Sequence, residues 1–127
     1  TQQPTLFPYT TLFRSWLNGM PAILKAWLDQ VIVPGKMFTF GPEGLVPTHH
    51  LRTVVLLVSS DQVYKEGDVR DGLTPAIRAV FAYVGVEDIQ IAWADGQDSS
   101  RHFDSNERRE MAIEAAKEIA EDIAGLA

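Results

Sequence analysis

Two short polar stretches of the sequence carry groups that could bind a cofactor. The first contains Trp16, Leu17, Asn18 and Gly19 and lies just before an amphipathic helix pattern. Its backbone amides and the edge of its tryptophan could cradle a planar cofactor, because the first N–H groups of a helix have no partner within the helix. The same residues are also typical of a capped helix start whose tryptophan packs in the core, and spacing alone favours that simpler interpretation.

The second stretch contains Ser59, Ser60, Asp61 and Gln62 and directly follows an apolar, strand-like run. Ligands of open α/β sheets bind beyond the carboxyl ends of the strands, so these hydroxyl and amide groups could donate hydrogen bonds to a ligand there. An ordinary strand-to-loop turn is the simpler alternative. Ser59 is not a candidate nucleophile, because no G-x-S-x-G motif surrounds it.

Other kinds of site are not supported by the residues. The chain has no cysteine, which excludes a disulfide framework, a thiolate nucleophile and a zinc–thiolate site. His49 and His50 are adjacent and would point apart in an extended chain, so a solvated connector is expected rather than a metal pair. No G-x-G-x-x-G or P-loop motif is present. We therefore expect no catalytic side chain and no metal ligand.

Length and composition predict one globular domain. The 127 residues are 46% hydrophobic and 22% charged, which argues against disorder. A net charge of −6 at pH 7 argues against nucleic acid and anionic membranes as partners. No apolar run reaches the roughly 18 residues of a membrane span. The lack of cysteine fits a cytoplasmic protein.

The elements that would position the polar stretches alternate between helix and strand. Apolar residues three and four apart predict a first helix from about Met20 to Val33, with Asn18 as its N-cap. An aromatic hairpin, or flap, follows at 37–46. The apolar run from Arg52 to Ser59 is typical of a parallel strand that is covered on both faces.

The second half of the chain continues this alternation. A long loop at 60–72 is of the kind that is often functional, and a second helix is predicted from Leu73 to Val84. Asp88 to Asp95 reads as an edge strand, and a last helix starts at Asp104. The buried stripe predicted for this helix is Ile113, Ala116, Ile119, Ala120 and Ile123. Helices and parallel strands in this order predict an α/β sheet. Two confident strands with three helices would leave one sheet edge open and apolar, which points to missing strands or a partner.

The first fifteen residues differ from the rest. They carry two prolines, no initiating Met and no clear period. We expect residues 1–15 to be a foreign or poorly ordered leader and residues 16–127 to form the domain. Within the leader, Thr10 to Phe13 could form one short strand on β-propensity.

Several blocks together resemble the carboxyl-terminal part of the FMN-dependent NADH-azoreductases, which belong with the flavodoxin-like NAD(P)H:quinone oxidoreductases. In order, they are MPAILKAWLDQVIVPGKMFTF, GPEGLV, TVVLLVSSDQVYKEG and LTPAIRAVFAYVGVEDIQIAWADG. The resemblance implies an α/β, flavodoxin-like three-layer fold with a parallel sheet of order 2-1-3-4-5. In the family, the first strands and the serine-rich loop that holds the FMN phosphate lie upstream of these blocks. The resemblance therefore implies that they are missing here.

The resemblance also implies which residues meet the flavin. The family's Pro-Met-Tyr-Asn-Phe-type loop falls on 14–18, where Trp16 keeps the aromatic character. Its Ser-Arg-Gly-Gly-like loop falls on 59–62, where Ser59 matches and the two glycines do not. Phe40 takes the place of an aromatic in the family's flap, on the substrate side. The implied cofactor-binding residues are Trp16, Leu17, Asn18, Gly19, Ser59, Ser60, Asp61 and Gln62.

The function implied by the resemblance is an FMN-dependent oxidoreductase. NADH or NADPH would donate hydride to FMN, and a quinone or azo compound would take up the electrons in a second half-reaction of a two-electron ping-pong scheme. The family is usually a homodimer. The alternatives are a flavodoxin-like electron carrier or binding module without its own substrate, and an inactive fragment. The aromatic flap favours the enzyme over the carrier.

Overall fold

A computed structural model describes residues 10–14, by their backbone, and residues 19–125. Strands and helices alternate along most of this length, as the sequence pattern predicts. In chain order the elements are β1 (Thr10–Arg14), α1 (Ala22–Val31), β2 (Phe38–Gly41), β3 (Gly44–Pro47), β4 (Thr53–Ser59), α2 (Thr74–Tyr83), β5 (Asp88–Ala94) and α3 (Ser105–Gly125).

The main sheet is parallel and has the order β1-β4-β5. The predicted strands at 52–59 and 88–95 are confirmed to within one residue at each end. The short strand predicted from Thr10 to Phe13 is also confirmed, and it pairs with β4. The boundary proposed after Ser15 stays a prediction, although the strand just before it belongs to the sheet.

One face of this sheet carries the hydrophobic core. Alternate residues of β4 and β5 point to the same face, and α1 and α2 bury their apolar stripes against it. Right-handed connections between neighbouring parallel strands place both helices on that face. The buried core side chains from these elements include Leu24, Leu28, Val54, Leu56, Val58, Ile77, Phe81 and Ile89.

The predicted hairpin is confirmed as the antiparallel pair β2–β3, with Gly41 opposite Gly44. It lies at the amino end of the main sheet, because it connects the end of α1 to the start of β4. Contacts with the end of α2 hold it there. The ring of Phe38 meets the ring of Tyr83 edge-on at 5.4 Å, and Nε2 of His49 lies 2.7 Å from the carbonyl oxygen of Val84.

Two helix predictions need correction. The first helix begins at Ala22 with Pro21 in the N-cap position, so the start predicted at about Met20 is two residues early. Asn18, predicted as the N-cap, lies outside the described residues. The stripe predicted for α3 is wrong at Ile113 and Ala120, which are exposed. Helix α3 packs against β5 through the helical face that contains Arg108. Residues three and four apart share one side of a helix, so Ile113 and Ala120 fall outside this face. The half-buried face is Arg108, Ala112, Ala115, Ala116, Ile119 and Ile123.

None of the helices in residues 19–125 has an apolar stretch long enough to cross a membrane.

Candidate functional site

The carboxyl ends of the three parallel strands lie level with one another. Arg14 pairs with Ser59, and Ser59 pairs with Ala94, so the last residues of β1, β4 and β5 form one row. The loops after β4 and β5, at 60–64 and 95–98, therefore leave the sheet side by side. We call this row and its loops the carboxyl edge. It is the position at which open α/β sheets bind ligands.

The second polar stretch predicted from the sequence, at 59–62, starts at the carboxyl edge. Trp16, Leu17 and Asn18 lie outside the described residues, so their role stays a prediction. Gly19 is half-buried between β1 and α1. On β4, Ser59 is half-buried and Ser60 is buried, whereas Asp61 and Gln62 are exposed. The role of these five residues in binding a cofactor likewise stays a prediction.

Backbone hydrogen bonds join the loop after β4 to the loop after β5. The N–H of Ser60 donates to the carbonyl of Ala94 at 3.0 Å, which extends the β4–β5 ladder by one step. Beyond it, the N–H of Gly96 donates to Gln62 and the N–H of Gln97 donates to Ser60, each at 3.0 Å. We call these bonds the loop ladder. They fix the backbone of 60–62 although it lies outside regular strand.

Ser60 faces the interior and not the outside of the carboxyl edge. The residue is 2% exposed. Its Oγ donates to the carbonyl of Gln62 at 2.9 Å and accepts the indole N–H of Trp93 at 2.8 Å. Both functions of the hydroxyl are therefore satisfied within the chain. Sequence reasoning did not find Trp93, because the two partners lie on different strands.

Two contacts of the Tyr64 ring stabilise the loop after β4, one with Trp93 of β5 and one with Arg70. The rings of Tyr64 and Trp93 have centroids 5.2 Å apart with planes inclined at 35°. The Arg70 guanidinium carbon lies 5.7 Å from the centroid of the Tyr64 ring. Burial raises the pKa of Tyr64, and the nearby Arg70 charge opposes that shift. These contacts hold the loop against β5.

Asp68 holds Arg70 in this position. The guanidinium donates to both carboxylate oxygens, at 3.2 and 2.8 Å, and the backbone N–H of Arg70 donates to Oδ1 at 2.9 Å. These hydrogen bonds keep the pKa of Asp68 well below its ordinary value. At the same end of the sheet, the N–H groups of Leu73 and Thr74 at the N-terminus of α2 donate to Oδ1 of Asp71. That helix terminus is thus already occupied by a carboxylate.

Asp95 joins three elements at the carboxyl edge. One carboxylate oxygen accepts the N–H of Tyr64 at 3.3 Å, and the other accepts Nη1 of Arg108 at 3.0 Å. Nε of Arg108 also donates to Asp104 at 3.0 Å. The Asp95 carboxylate raises the pKa of Arg108. The loop after β4, the end of β5 and the start of α3 are therefore tied through one carboxylate.

Position 96 requires glycine because of its backbone angle and because of the side chains that surround it. Its φ is +59°, and a Cβ would lie 2.9 Å from Cδ of Arg108 and 3.0 Å from Cγ2 of Val63. We expect Gly96→Ala to lower the free energy of unfolding by about 2 kcal/mol, part from the left-handed backbone and part from displacing these side chains. Urea unfolding would measure it.

Gly67→Ala is the matched control for this prediction. Gly67 also has a positive φ, +72°, but a Cβ there would meet nothing within 4 Å. It should therefore show the backbone cost alone, about 1 kcal/mol. Equal losses in the two variants would contradict the crowding at Gly96.

The structure does not bring Phe40 together with the carboxyl edge. Phe40 is 63% exposed on the hairpin, where its ring meets Phe38 edge-on at 5.5 Å. The hairpin precedes β4 and Ser59 ends it, and a strand of this length spans about 20 Å. Within one chain, Phe40 therefore does not line the same site as Ser59.

Cavities open on the described part of the chain, and two of them lie beside the core and the carboxyl edge. One, of about 290 Å³, lies between α1, α2 and β4 and is lined almost wholly by apolar side chains. The other, of about 220 Å³, lies beside Trp93, Asp95 and Arg108 and so adjoins the carboxyl edge. No group of three or more His, Asp or Glu side chains in residues 19–125 could hold a metal ion.

The carboxyl edge is suited to binding and orienting a planar ligand. It offers the Ser59 hydroxyl and a turn whose backbone is held by the loop ladder. The acidic side chain fixed there, Asp95, is already hydrogen-bonded to Arg108 and to the backbone of Tyr64. The arrangement therefore fits chemistry that a bound cofactor performs rather than acid–base catalysis by the protein.

Comparison with known proteins identifies similar chains. The model of a family described by its flavodoxin-like fold matches residues 12–120. An FMN-dependent NADH:quinone oxidoreductase of Beijerinckia indica is 30% identical over 83 residues, which are 64% of this chain and 41% of that protein. One from Acidobacterium capsulatum is 33% identical over 92 residues, 68% of this chain and 43% of that protein. The chain thus spans about half the length of the curated relatives it matches.

A solved structure has the same fold. An azoreductase from Bacillus anthracis superposes with a TM-score of 0.67 at 21% sequence identity. The superposition covers 85% of this chain and 54% of the azoreductase. At this identity the likeness supports the flavodoxin-like α/β arrangement of sheet and helices, which the sequence had predicted.

Proposed function

The chain belongs to the family described by a flavodoxin-like fold, and we propose that it forms the ring-side part of an FMN site in an oxidoreductase that reduces quinones or azo compounds with NADH or NADPH. One observation carries the proposal. Three parallel strands end level at the carboxyl edge, and the loop ladder fixes the turn 59–62 there. Relatives that share this fold are named as FMN-dependent NADH:quinone oxidoreductases.

The residues at the carboxyl edge fit the flavin ring better than its phosphate. Ser59 presents a half-buried hydroxyl at the row of strand ends, and the turn beside it has its backbone fixed. The N-terminus of α2, a place where a phosphate could bind, is capped by Asp71. The resemblance places the phosphate loop upstream of these elements. We therefore assign Ser59, Asp61 and Gln62 to the ring, together with Trp16, Leu17, Asn18 and Gly19 from the loop after β1.

When bound, FMN supplies the acceptance and donation of electrons. This chain's residues then have to bind and orient it. Ser59 can donate a hydrogen bond to a ring acceptor, and the backbone at 61–62 can lie along the ring edge. Asp61 and Gln62 stand where the family has two glycines, so their Cβ atoms limit how closely the backbone approaches. No side chain at this edge has to move a proton.

A homodimer, which the resemblance implies, and a cytoplasmic location, which the lack of cysteine fits, are further proposals. The position of Phe40 bears on the first. Because it lies at the opposite end of the sheet from Ser59, it can approach a flavin only if it belongs to a second copy of the chain. A role for Phe40 in substrate binding therefore depends on the proposed dimer.

Flavin retention tests the proposed function. The chain is purified with excess FMN and desalted, and its flavin absorbance is recorded before NADH oxidation is followed with a quinone. We expect retained flavin, and Ser59→Ala should weaken FMN binding about fivefold because one hydrogen bond is lost. Lys117→Ala, on the exposed face of α3, is the matched control and should leave binding unchanged.

The result separates the alternatives. Retained flavin with NADH oxidation supports the oxidoreductase. Retained flavin without NADH oxidation favours an electron carrier or binding module. A chain that loses its flavin on desalting contradicts the proposed site in this chain and favours the inactive fragment.

A further inference from the structure

The hydroxyl of Ser60 links two different parts of the carboxyl edge. It donates to the carbonyl of Gln62, two residues later, at 2.9 Å. It also accepts the indole N–H of Trp93 from the neighbouring strand at 2.8 Å. A hydroxyl can do both because it is a donor and an acceptor at once. One atom therefore fixes both the curvature of the turn 59–62 and its distance from β5.

Trp93 touches the same loop a second time. Its indole packs against the ring of Tyr64 with centroids 5.2 Å apart. The backbone of Tyr64 is also held, since its N–H donates to Asp95. Trp93 thus holds the segment from Ser60 to Tyr64 at both ends, by a hydrogen bond to Ser60 and by a ring contact with Tyr64.

Water cannot easily replace the hydroxyl in this hydrogen bond. Ser60 is almost wholly buried, and its other polar groups are taken up by the loop ladder. If the hydroxyl is removed, the indole N–H of the half-buried Trp93 loses its acceptor. A buried donor left unpaired costs more than an exposed one, so the loop is expected to shift or open.

We propose that Ser60 and Trp93 form a positioning pair, whose hydrogen bond holds the turn 59–62 in the conformation that it presents to the flavin. This rests on the proposed FMN site. Ser60 acts from beneath the turn and does not contact the ligand. The pair also accounts for how a turn without the family's two glycines keeps a fixed shape, since the side chains of Asp61 and Gln62 point outward while the backbone stays tied to β5.

Amide hydrogen exchange tests the pair without any flavin. The N–H groups of Gly96 and Gln97 report on the loop ladder, because their acceptors are Gln62 and Ser60. Ser60→Ala and Trp93→Phe each remove one partner of the same hydrogen bond, and each should speed exchange at these two amides about tenfold. The double variant should exchange no faster than Ser60→Ala alone, because that change already removes the hydrogen bond that Trp93→Phe would remove.

Two further variants complete the design. Ser60→Thr keeps the hydroxyl and should restore slow exchange. Ser99→Ala, an exposed serine in the loop after β5, is the matched control and should leave exchange as in the unchanged chain. Unchanged exchange in both Ser60→Ala and Trp93→Phe would overturn the positioning pair, and Trp93→Phe decides the matter if Ser60→Ala fails to fold.

FMN affinity provides the second readout. Ser60→Ala should raise the Kd for FMN about tenfold, and Ser60→Thr should restore it. An unchanged Kd in Ser60→Ala would overturn the role of the pair in presenting the turn. If the unchanged chain binds no FMN, the proposed function fails, and the exchange experiment alone decides whether the pair holds the turn.

Discussion

Replacing Ile77 with alanine is expected to lower the free energy of unfolding by about 2–5 kcal/mol. Ile77 is 1% exposed in the middle of α2, where it packs against β4 and lines the larger cavity. The truncation removes buried methyl and methylene groups. It also enlarges a space that the neighbouring side chains already leave unfilled, so collapse around the site recovers little of the loss.

Ile23→Ala is the matched control for this prediction. Ile23 is 81% exposed on α1, so the same chemical change is made in a helix without loss of buried area. Its free energy of unfolding should change by less than about 0.5 kcal/mol. Urea unfolding of both variants measures the difference. Similar losses at the two positions would mean that α2 is not packed on the sheet as described.

The second large effect is expected at Asp95. Asp95→Ala should lower the free energy of unfolding by about 2 kcal/mol, because the N–H of Tyr64 loses its acceptor and Arg108 keeps only Asp104 as an ion-pair partner. The Asp95 side chain is 17% exposed, so solvent compensates only in part. Asp95→Asn keeps the shape and one acceptor, and should cost about half as much.

Asp29→Ala provides the comparison with an exposed ion pair. Asp29 pairs with Lys25 on the surface of α1, and more than half of each side chain is exposed. Its removal should cost less than about 0.5 kcal/mol, and added salt should reduce even that. Thermal or urea unfolding at two salt concentrations distinguishes the two sites. A loss at Asp95 as small and as salt-sensitive as that at Asp29 would contradict its role in tying the loops together.

The parts of the fold that depend on local pattern could be predicted from the sequence. The apolar run that became β4 predicted a strand covered on both faces, and the turn at 41–44 predicted the hairpin. The start of α1 was predicted two residues early, because Pro21 takes the N-cap position. The stripe on α3 was misplaced because its register depends on where Arg108 meets β5.

The position of the candidate site could be predicted from the sequence, but the contacts between its side chains could not. The end of the predicted strand indicated residues 59–62 as a ligand-binding stretch, since ligand sites of α/β sheets lie beyond the carboxyl ends of strands. The inward direction of the Ser60 hydroxyl could not be foreseen, because it depends on Trp93 on another strand. Asp95 and Arg108 gave no local signal for the same reason. The distance of Phe40 from this edge could not be foreseen either, because it depends on the topology that places the hairpin at the far end of the sheet. The role of Phe40 on the substrate side stays a prediction that depends on the proposed dimer.

The parallel order of the sheet has a consequence for synthesis of the chain on the ribosome. The hairpin can close as soon as Gly44 to Pro47 has emerged, since its strands are neighbours in the chain. In contrast, Thr53 of β4 pairs with Asp88 of β5, which is far along the chain. The edge of β4 that faces β5 therefore stays unpaired while α2 is synthesised. At about 5–20 residues per second, this apolar strand stays without that neighbour for about 2–7 s. During that interval the edge of β4 that will pair with β5 is open to aggregation and to chaperone binding.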